Sequence, residues 1–321
     1  MIITFYVVLL NLFLFILNKK IIQIYNIYDK KNFKNIGLVG GLYLLINILV
    51  IFNLLLYFDN SQIENFIWNK RTYFSFFLST IFIFMMGYLD DKYDLSPNTR
   101  LFLMIMIIFV NLFINENLII DQIQFTNKFS FYINPNLTFF FSLLCFVTII
   151  NLSNMFDGIN LQLIVFSAFI IFSCLINYNN ILLINLLIVF LLLFLLNYKN
   201  IIFLGNTGSY LCGYFLGFIL VNSYNSKIIF TDDILIMLFI PFIDMLRVIF
   251  FRIINKKHIF QGDLNHIHHI LVNKFGYLKA LLLIHSMIII PYAIYYFNKS
   301  YLFPILIILL ILYFFIIKGK K

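Results

Sequence analysis

Eleven apolar runs joined by short polar loops leave this chain few folds to choose from. They lie near 2–18, 37–57, 72–88, 101–115, 137–151, 161–177, 180–197, 208–223, 233–252, 278–297 and 301–317. Each comes close to the roughly 20 residues that a helix needs to cross a hydrocarbon core. Lipid offers no hydrogen bonds, so the backbone of such a run must satisfy itself, and an α-helix does this within one segment. The expected fold is an all-α integral membrane protein, a polytopic bundle of about eleven transmembrane helices forming one domain over 1–321. A composition of 63% hydrophobic and 11% charged residues agrees with it. No stretch between runs exceeds about two dozen residues, too few to close a separate core. The net charge of +9 is therefore a property of loops and does not imply a nucleic-acid partner. Cys145, Cys174 and Cys212 all fall inside apolar runs, which points to packing and not to a disulfide framework or thiolate metal site.

Charge sets the expected orientation. Ile2–Leu17 has no basic residue before it and no small-residue cleavage site after it, and Lys19 and Lys20 follow the span. That predicts a retained first helix with the N-terminus outside. Alternating sides from there puts sixteen Lys and Arg residues in the cytoplasmic segments and five on the opposite side, with Arg247 inside a span. Basic residues favour the cytoplasmic side, so the asymmetry supports eleven crossings and a cytoplasmic C-terminus. In an outer loop, Ile123–Phe125 and Phe129–Ile133 flank Thr126–Asn127–Lys128, which predicts a small β-hairpin within 121–134.

Four polar clusters then fall on the cytoplasmic side. The first, GYLDDKYDLSPNTR at 87–100, places Asp90 and Asp91 at the mouth of an apolar run, with Asp94 close behind. Such carboxylates are costly unless they meet water, a cation or a partner, so the stretch is either a solvated turn or one side of a cation site. The second, NLSNMFDGIN at 151–160, spaces Asn151, Asn154, Asp157 and Asn160 three apart, with Gly158 favouring a helix end. The third, FLGNTGSYLCGYFLG at 203–217, opens a run with Gly205, Gly208 and the capping candidates Thr207 and Ser209. A helix start of this kind offers free N–H groups to an anion. Gly213 and Gly217 form a small-residue pair suited to close helix packing. The fourth, QGDLNHIHHIL at 261–271, carries Asp263, His266, His268 and His269. These could be a phosphate grip, surface residues or a zinc site; the adjacent His268 and His269 diverge on a helix and disfavour zinc. Asp244 and Arg247, three apart inside a span, are expected to pair or to share a polar cavity.

Taken together, these motifs resemble the polyprenyl-phosphate N-acetylhexosamine-1-phosphate transferases, relatives of phospho-MurNAc-pentapeptide translocase and of the eukaryotic dolichyl-phosphate enzyme. The resemblance covers nearly the whole chain, with DDKYDL, an Asp–Gly motif, a GxxGS motif and HIHH in order. HIHH favours the undecaprenyl-phosphate GlcNAc-type branch, and DKKNFKNIGLVGG at 29–41 looks like a degraded first-loop motif. The resemblance implies a transferase in the bacterial inner membrane with its active site facing the cytoplasm, initiating a cell-surface glycan such as O-antigen. It implies Mg²⁺ (or Mn²⁺) as cofactor, a UDP-sugar and undecaprenyl phosphate as partners within the lipid bilayer, and room for a homodimer. By resemblance Asp90, Asp91 and Asp157 are catalytic. Arg100, Asn151, Asn160, Gly205, Gly208, Ser209, Asp263, His266, His268 and His269 contact substrate, while Asn154 and Asn206 hold the metal. The family's glycine motif carries Asp where this chain has Asn206, a loss of charge expected to weaken the metal site.

Two rival readings stay open on the residues alone. DDKYD is also a DDxxD string, as in intramembrane prenyltransferases, but no good second acidic motif accompanies it. A transporter would want polar residues near mid-span and symmetry between halves, whereas the clusters here gather at one face.

Overall fold

The computed structural model describes residues 2–29, 36–58, 70–127, 129–257 and 264–318. Among the described residues, eleven long helices occupy the eleven apolar runs: α1 Ile2–Tyr25, α2 Gly40–Phe58, α3 Lys70–Tyr93, α4 Pro97–Ile114, α5 Pro135–Phe156, α6 Gln162–Asn177, α7 Ile181–Tyr198, α8 Gly205–Asn225, α9 Thr231–Ile254, then α11 Tyr277–Phe297 and α12 Leu302–Lys318. Between α9 and α11 lies a short helix, α10 Ile267–Phe275. Among the described residues nine helices are long and apolar enough to cross a membrane, and the chain is a multi-pass membrane protein. The exceptions have physical reasons. α6 has 16 residues. α8 has a polar, glycine-rich start, and every residue from Thr207 to Ser223 is buried. A helix that meets protein on all sides does not need the apolarity that lipid contact demands.

α8 is the axis of the bundle, packed against α2, α3, α5 and α6. Small residues let it come close. A Cβ on Gly213 would stand 2.6 Å from the Cα of Ile150 on α5, and one on Gly87 would stand 2.5 Å from the Cα of Thr207. The glycine pair of the third motif therefore serves close helix packing, as its spacing predicts. Mid-span polar side chains pair with each other. Asn11 and Asn47 exchange amide hydrogen bonds of 2.7 and 3.1 Å, and the Tyr43 hydroxyl donates to the Leu14 carbonyl at 2.6 Å. Cys174 and Cys212 are buried and Cys145 half-buried.

At one end of the bundle, strands β1 Gln122–Gln124 and β2 Ser130–Tyr132 pair antiparallel, with Ile123 opposite Phe131. At the other end the loop after α1 is drawn in: Phe203 N–H donates to the Gly37 carbonyl at 3.1 Å and Gly40 N–H to that of Phe203 at 2.9 Å. This stitches the first loop beside the start of α8. Asp263 and the loop lysines 30, 31, 34, 128, 320 and 321 lie outside the described residues.

Candidate active site

The acidic pair is not in a turn. α3 runs on to Tyr93, so Asp90 and Asp91 sit on its last turn, where both find partners in the bundle. Asp90 Oδ1 accepts the Leu95 N–H at 3.0 Å, and Oδ2 accepts the Tyr210 hydroxyl at 2.9 Å and faces Arg100 Nη1 at 3.4 Å. These bonds fold the corner at 94–96, where Asp94 takes a positive φ of 51°. Ser96 then caps α4 by accepting the Thr99 N–H, with Pro97 in the first turn. The corner thereby sets Arg100 at the mouth of the site.

Asp91 reaches across to α8. Its Oδ1 accepts the Asn206 N–H at 2.8 Å, and its Oδ2 accepts the Thr207 N–H at 3.0 Å and the Thr207 hydroxyl at 2.5 Å. The donors expected to await a ligand anion are thus taken by a carboxylate of the chain itself, which is what unpaired N–H groups and the positive end of a helix dipole favour. Neither Thr207 nor Ser209 caps the helix; Asp91 does so from outside. Gly205, at φ 69°, makes room for it, since a Cβ there would stand 2.8 Å from Asp91 Oδ2.

The second motif splits at a helix end. Asn151 and Asn154 lie on the last turns of α5, and Asp157 is its C-cap residue. The Ser209 hydroxyl donates to Asn154 Oδ1 at 2.8 Å, and Asn151 Nδ2 donates to the Val147 carbonyl at 2.9 Å. Beyond the cap, Leu161 N–H donates to Asn197 Oδ1 at 2.9 Å, and Asn160 Nδ2 donates to Asn200 Oδ1 at 3.0 Å. The loop is thereby fixed against the connection leading into α8.

The histidines arrive from α10. His266 precedes the helix, and His268 packs so closely on the Asp–Gly loop that a Cβ on Gly158 would come within 1.7 Å of His268 Nε2. His268 is buried, yet neither of its ring nitrogens has a hydrogen-bond partner among the described residues. Burial, with His269 and His266 beside it, holds its imidazole well below the usual histidine range, so it is neutral near pH 7. Asp244 and Arg247 do pair, at 2.8 Å, but they stand behind the histidines and do not line a cavity of their own.

These elements enclose a cavity of about 780 Å³. Asp91, Arg100, Asn151, Asn154, Asp157, Asn160, Gly205, Asn206, His266, His268 and His269 line it, as expected of them. Asp90, Gly208 and Ser209 do not. Asp90 is committed to the α3–α4 corner, Gly208 packs with its Cα side against Leu204 and Gly41, and Ser209 braces Asn154. Asp29, Asn197, Tyr210 and Arg252 also line the cavity, and their motifs did not single them out. Arg252 is a buried guanidinium on the last turn of α9. In the sequence it counted only as a loop charge, although its place at the end of an apolar run was a usable signal. Tyr210, inside an apolar run, offered none.

Among the described residues, no three His, Cys, Asp or Glu side chains converge as a metal cage. Mg²⁺ does not need one, since it is usually held by one or two carboxylates, waters and substrate phosphates. Asp157 and the amide oxygens of Asn154 and Asn206, all on the cavity wall, supply hard oxygen donors of that kind and fit such an ion.

The model of glycosyl transferase family 4 matches residues 73–224, from α3 through α8. Among curated proteins, the undecaprenyl-phosphate alpha-N-acetylglucosaminyl 1-phosphate transferase of Thermotoga maritima is 30% identical over 214 residues, which make up 66% of this chain and 66% of that relative. The chain thus spans about two thirds of the length of the relative it matches.

Proposed function

The chain belongs to glycosyl transferase family 4, and we propose that it transfers a sugar-1-phosphate, as an N-acetylhexosamine-1-phosphate, from a UDP-sugar to a polyprenyl phosphate such as undecaprenyl phosphate. The observation that carries this reading is the make-up of one cavity at the end of an apolar bundle. Arg100 and Arg252 line it together with buried His268, whose ring nitrogens have no hydrogen-bond partner among the described residues, and with the oxygen donors Asp157, Asn154 and Asn206. A buried polar group without a partner is costly, and a bound nucleotide-sugar would supply that partner. In this reading the acceptor's lipid tail lies in the membrane and its phosphate at the cavity mouth.

In the reaction, an oxygen of the lipid phosphate attacks the sugar-bearing phosphorus of the donor. The bond from that phosphorus to the bridging oxygen breaks, and UMP leaves with the bridging oxygen. The second pKa of a phosphate monoester lies near 6, so the acceptor is mostly dianionic at about pH 7 and the step needs no strong base. Arg100 and Arg252 balance charge on the phosphates, and His268 offers a neutral ring nitrogen to a substrate group. Asp91 holds the start of α8, so that Asn206 faces the cavity. A bound Mg²⁺ or Mn²⁺, held by Asp157, Asn154 and Asn206, would neutralise charge developing on the leaving pyrophosphate oxygen. The reading places this chemistry at the cytoplasmic face of the bacterial inner membrane.

The test is UMP release from a panel of UDP-sugars by membranes containing the protein, with and without polyprenyl phosphate and with the divalent cation chelated. Acceptor-dependent release that stops on chelation is expected; no release with any donor overturns the reading. Asn206→Asp should lower the Mg²⁺ concentration required for half-maximal rate, because it adds a charge to the donor set.

A further inference from the structure

Behind the histidines stands a group that no motif assigned. Asp244 is buried in α9 and is surrounded by four donors from three elements. Its Oδ1 accepts the Ile267 N–H at 3.0 Å, Arg247 Nη2 at 2.8 Å and the Tyr313 hydroxyl at 2.7 Å. Its Oδ2 stands 2.7 Å from His266 Nδ1. Arg247 in turn donates through Nη2 to the Asn265 carbonyl and through Nε to the Tyr313 hydroxyl. A carboxylate beside a guanidinium only accepts, so the proton of the His266 contact resides on Nδ1. Nε2 is then the ring atom that remains for the cavity, which His266 lines.

We propose that Asp244 is a positioning residue: it fixes the tautomer and direction of His266, so that Nε2 faces the bound nucleotide-sugar, and Tyr313 makes the last helix part of this mount. The inference rests on the transferase reading for its kinetic half only. α12 is otherwise a peripheral apolar helix with few buried positions. Its polar links among the described residues, from the Tyr313 hydroxyl to Asp244 and Arg247 and from the Ile316 carbonyl to Lys274 Nζ of α10 at 2.7 Å, run to the mount or to the histidine helix. The distances place His266 in the relation of a working imidazole to its orienting carboxylate, without either group being the one that reacts.

The decisive measurement is the ¹⁵N spectrum of histidine-labelled protein, with His266 assigned through His266→Gln, set beside donor kinetics for Asp244→Asn and Tyr313→Phe. Expected are an Nδ1-protonated His266 in the wild type and a changed tautomer signal in Asp244→Asn. The KM for the UDP-sugar should rise about tenfold to a hundredfold, the scale of losing a histidine's carboxylate partner, with a smaller fall in kcat. Tyr313→Phe should raise KM several-fold. A His266 protonated on Nε2 alone, or a folded Asp244→Asn protein with unchanged KM and spectrum, overturns the proposal. If Asp244→Asn does not fold, Tyr313→Phe decides by the same two readouts. A wild type silent on every donor would overturn the transferase reading, and the tautomer signal alone would then decide whether Asp244 sets His266.

Discussion

Both ends of the bundle bury carboxylates at helix termini, but at one end their partners close a structural knot and at the other they frame a cavity. At the hairpin end, Asp232 accepts the Thr126 N–H and hydroxyl and the Tyr295 hydroxyl, and Asp233 accepts the Phe230 N–H at 3.0 Å and Lys299 Nζ at 2.7 Å. Those bonds close a knot that pins the hairpin to α9 and α11. At the cavity end, Asp90 and Asp91 are just as fully engaged, but their partners are the scaffold on which Arg100 and Asn206 are displayed. His268, on the wall of the same cavity, has neither ring nitrogen paired among the described residues. A buried acidic residue is therefore a poor marker of chemistry by itself; the better marker is unpaired hydrogen-bonding capacity on a cavity wall, as at His268.

The contrast can be broken at either end. The largest effect is expected from Asp91→Asn, which turns one accepting oxygen toward donors as an amide and releases the start of α8. Transfer activity should fall about 10²–10³-fold, measured as UMP release, and near-normal activity would detach Asp91 from the site. Gly158→Ala should come next. Its methyl would displace His268, costing about tenfold to a hundredfold in kcat/KM, while the melting temperature falls by only a few degrees on the scale of a surface-loop change. At the other end, Asp232→Asn should do the opposite. It leaves buried donors poorly matched and removes about 1–3 kcal/mol of stability, read by thermal unfolding, with the donor KM of the folded protein within about twofold of wild type. A changed KM there would erase the distinction between the two ends.

The smallest effect concerns pH. The folded His268 has its pKa held below that of the unfolded chain, which lies near 6.5. As pH falls below about 6.5 the unfolded state takes up the proton first, so the stability from neutral, buried His268 is present above that pH and is lost below it, by at most about 1.4 kcal/mol per pH unit. The unliganded protein should therefore unfold more easily at pH 5 than at pH 7.5, and His268→Phe should flatten that slope. An unchanged slope would place the acid sensitivity elsewhere.

Much of this was open to reading from the chain. Apolar runs set the helices because lipid-length segments have no other way to satisfy their backbone; the caps at Ser96–Pro97 and Asn134–Pro135 were a further signal that went unused. Residue types set the candidate list, since carboxylates, amides and histidines at span ends are costly unless they meet water, a cation or a partner. Two things escaped it. The run at 208–223 reads as a span like the others, yet α8 is buried along its length, and that is decided by what surrounds it. The split of the acidic pair, with Asp91 on the cavity wall and Asp90 behind it, depends on the rotation of α3 against α8.

The sequence by itself determined the apolar helices and the four clusters of polar side chains, because hydrophobic length acts over neighbouring residues. Tertiary structure decided which of those side chains are spent and which are free. It caps α8 with an aspartate 114 positions before Gly205, sets Gly158 under His268 and backs His266 with Asp244. Those pairings follow from the close packing of helices far apart in the chain, which no local pattern encodes.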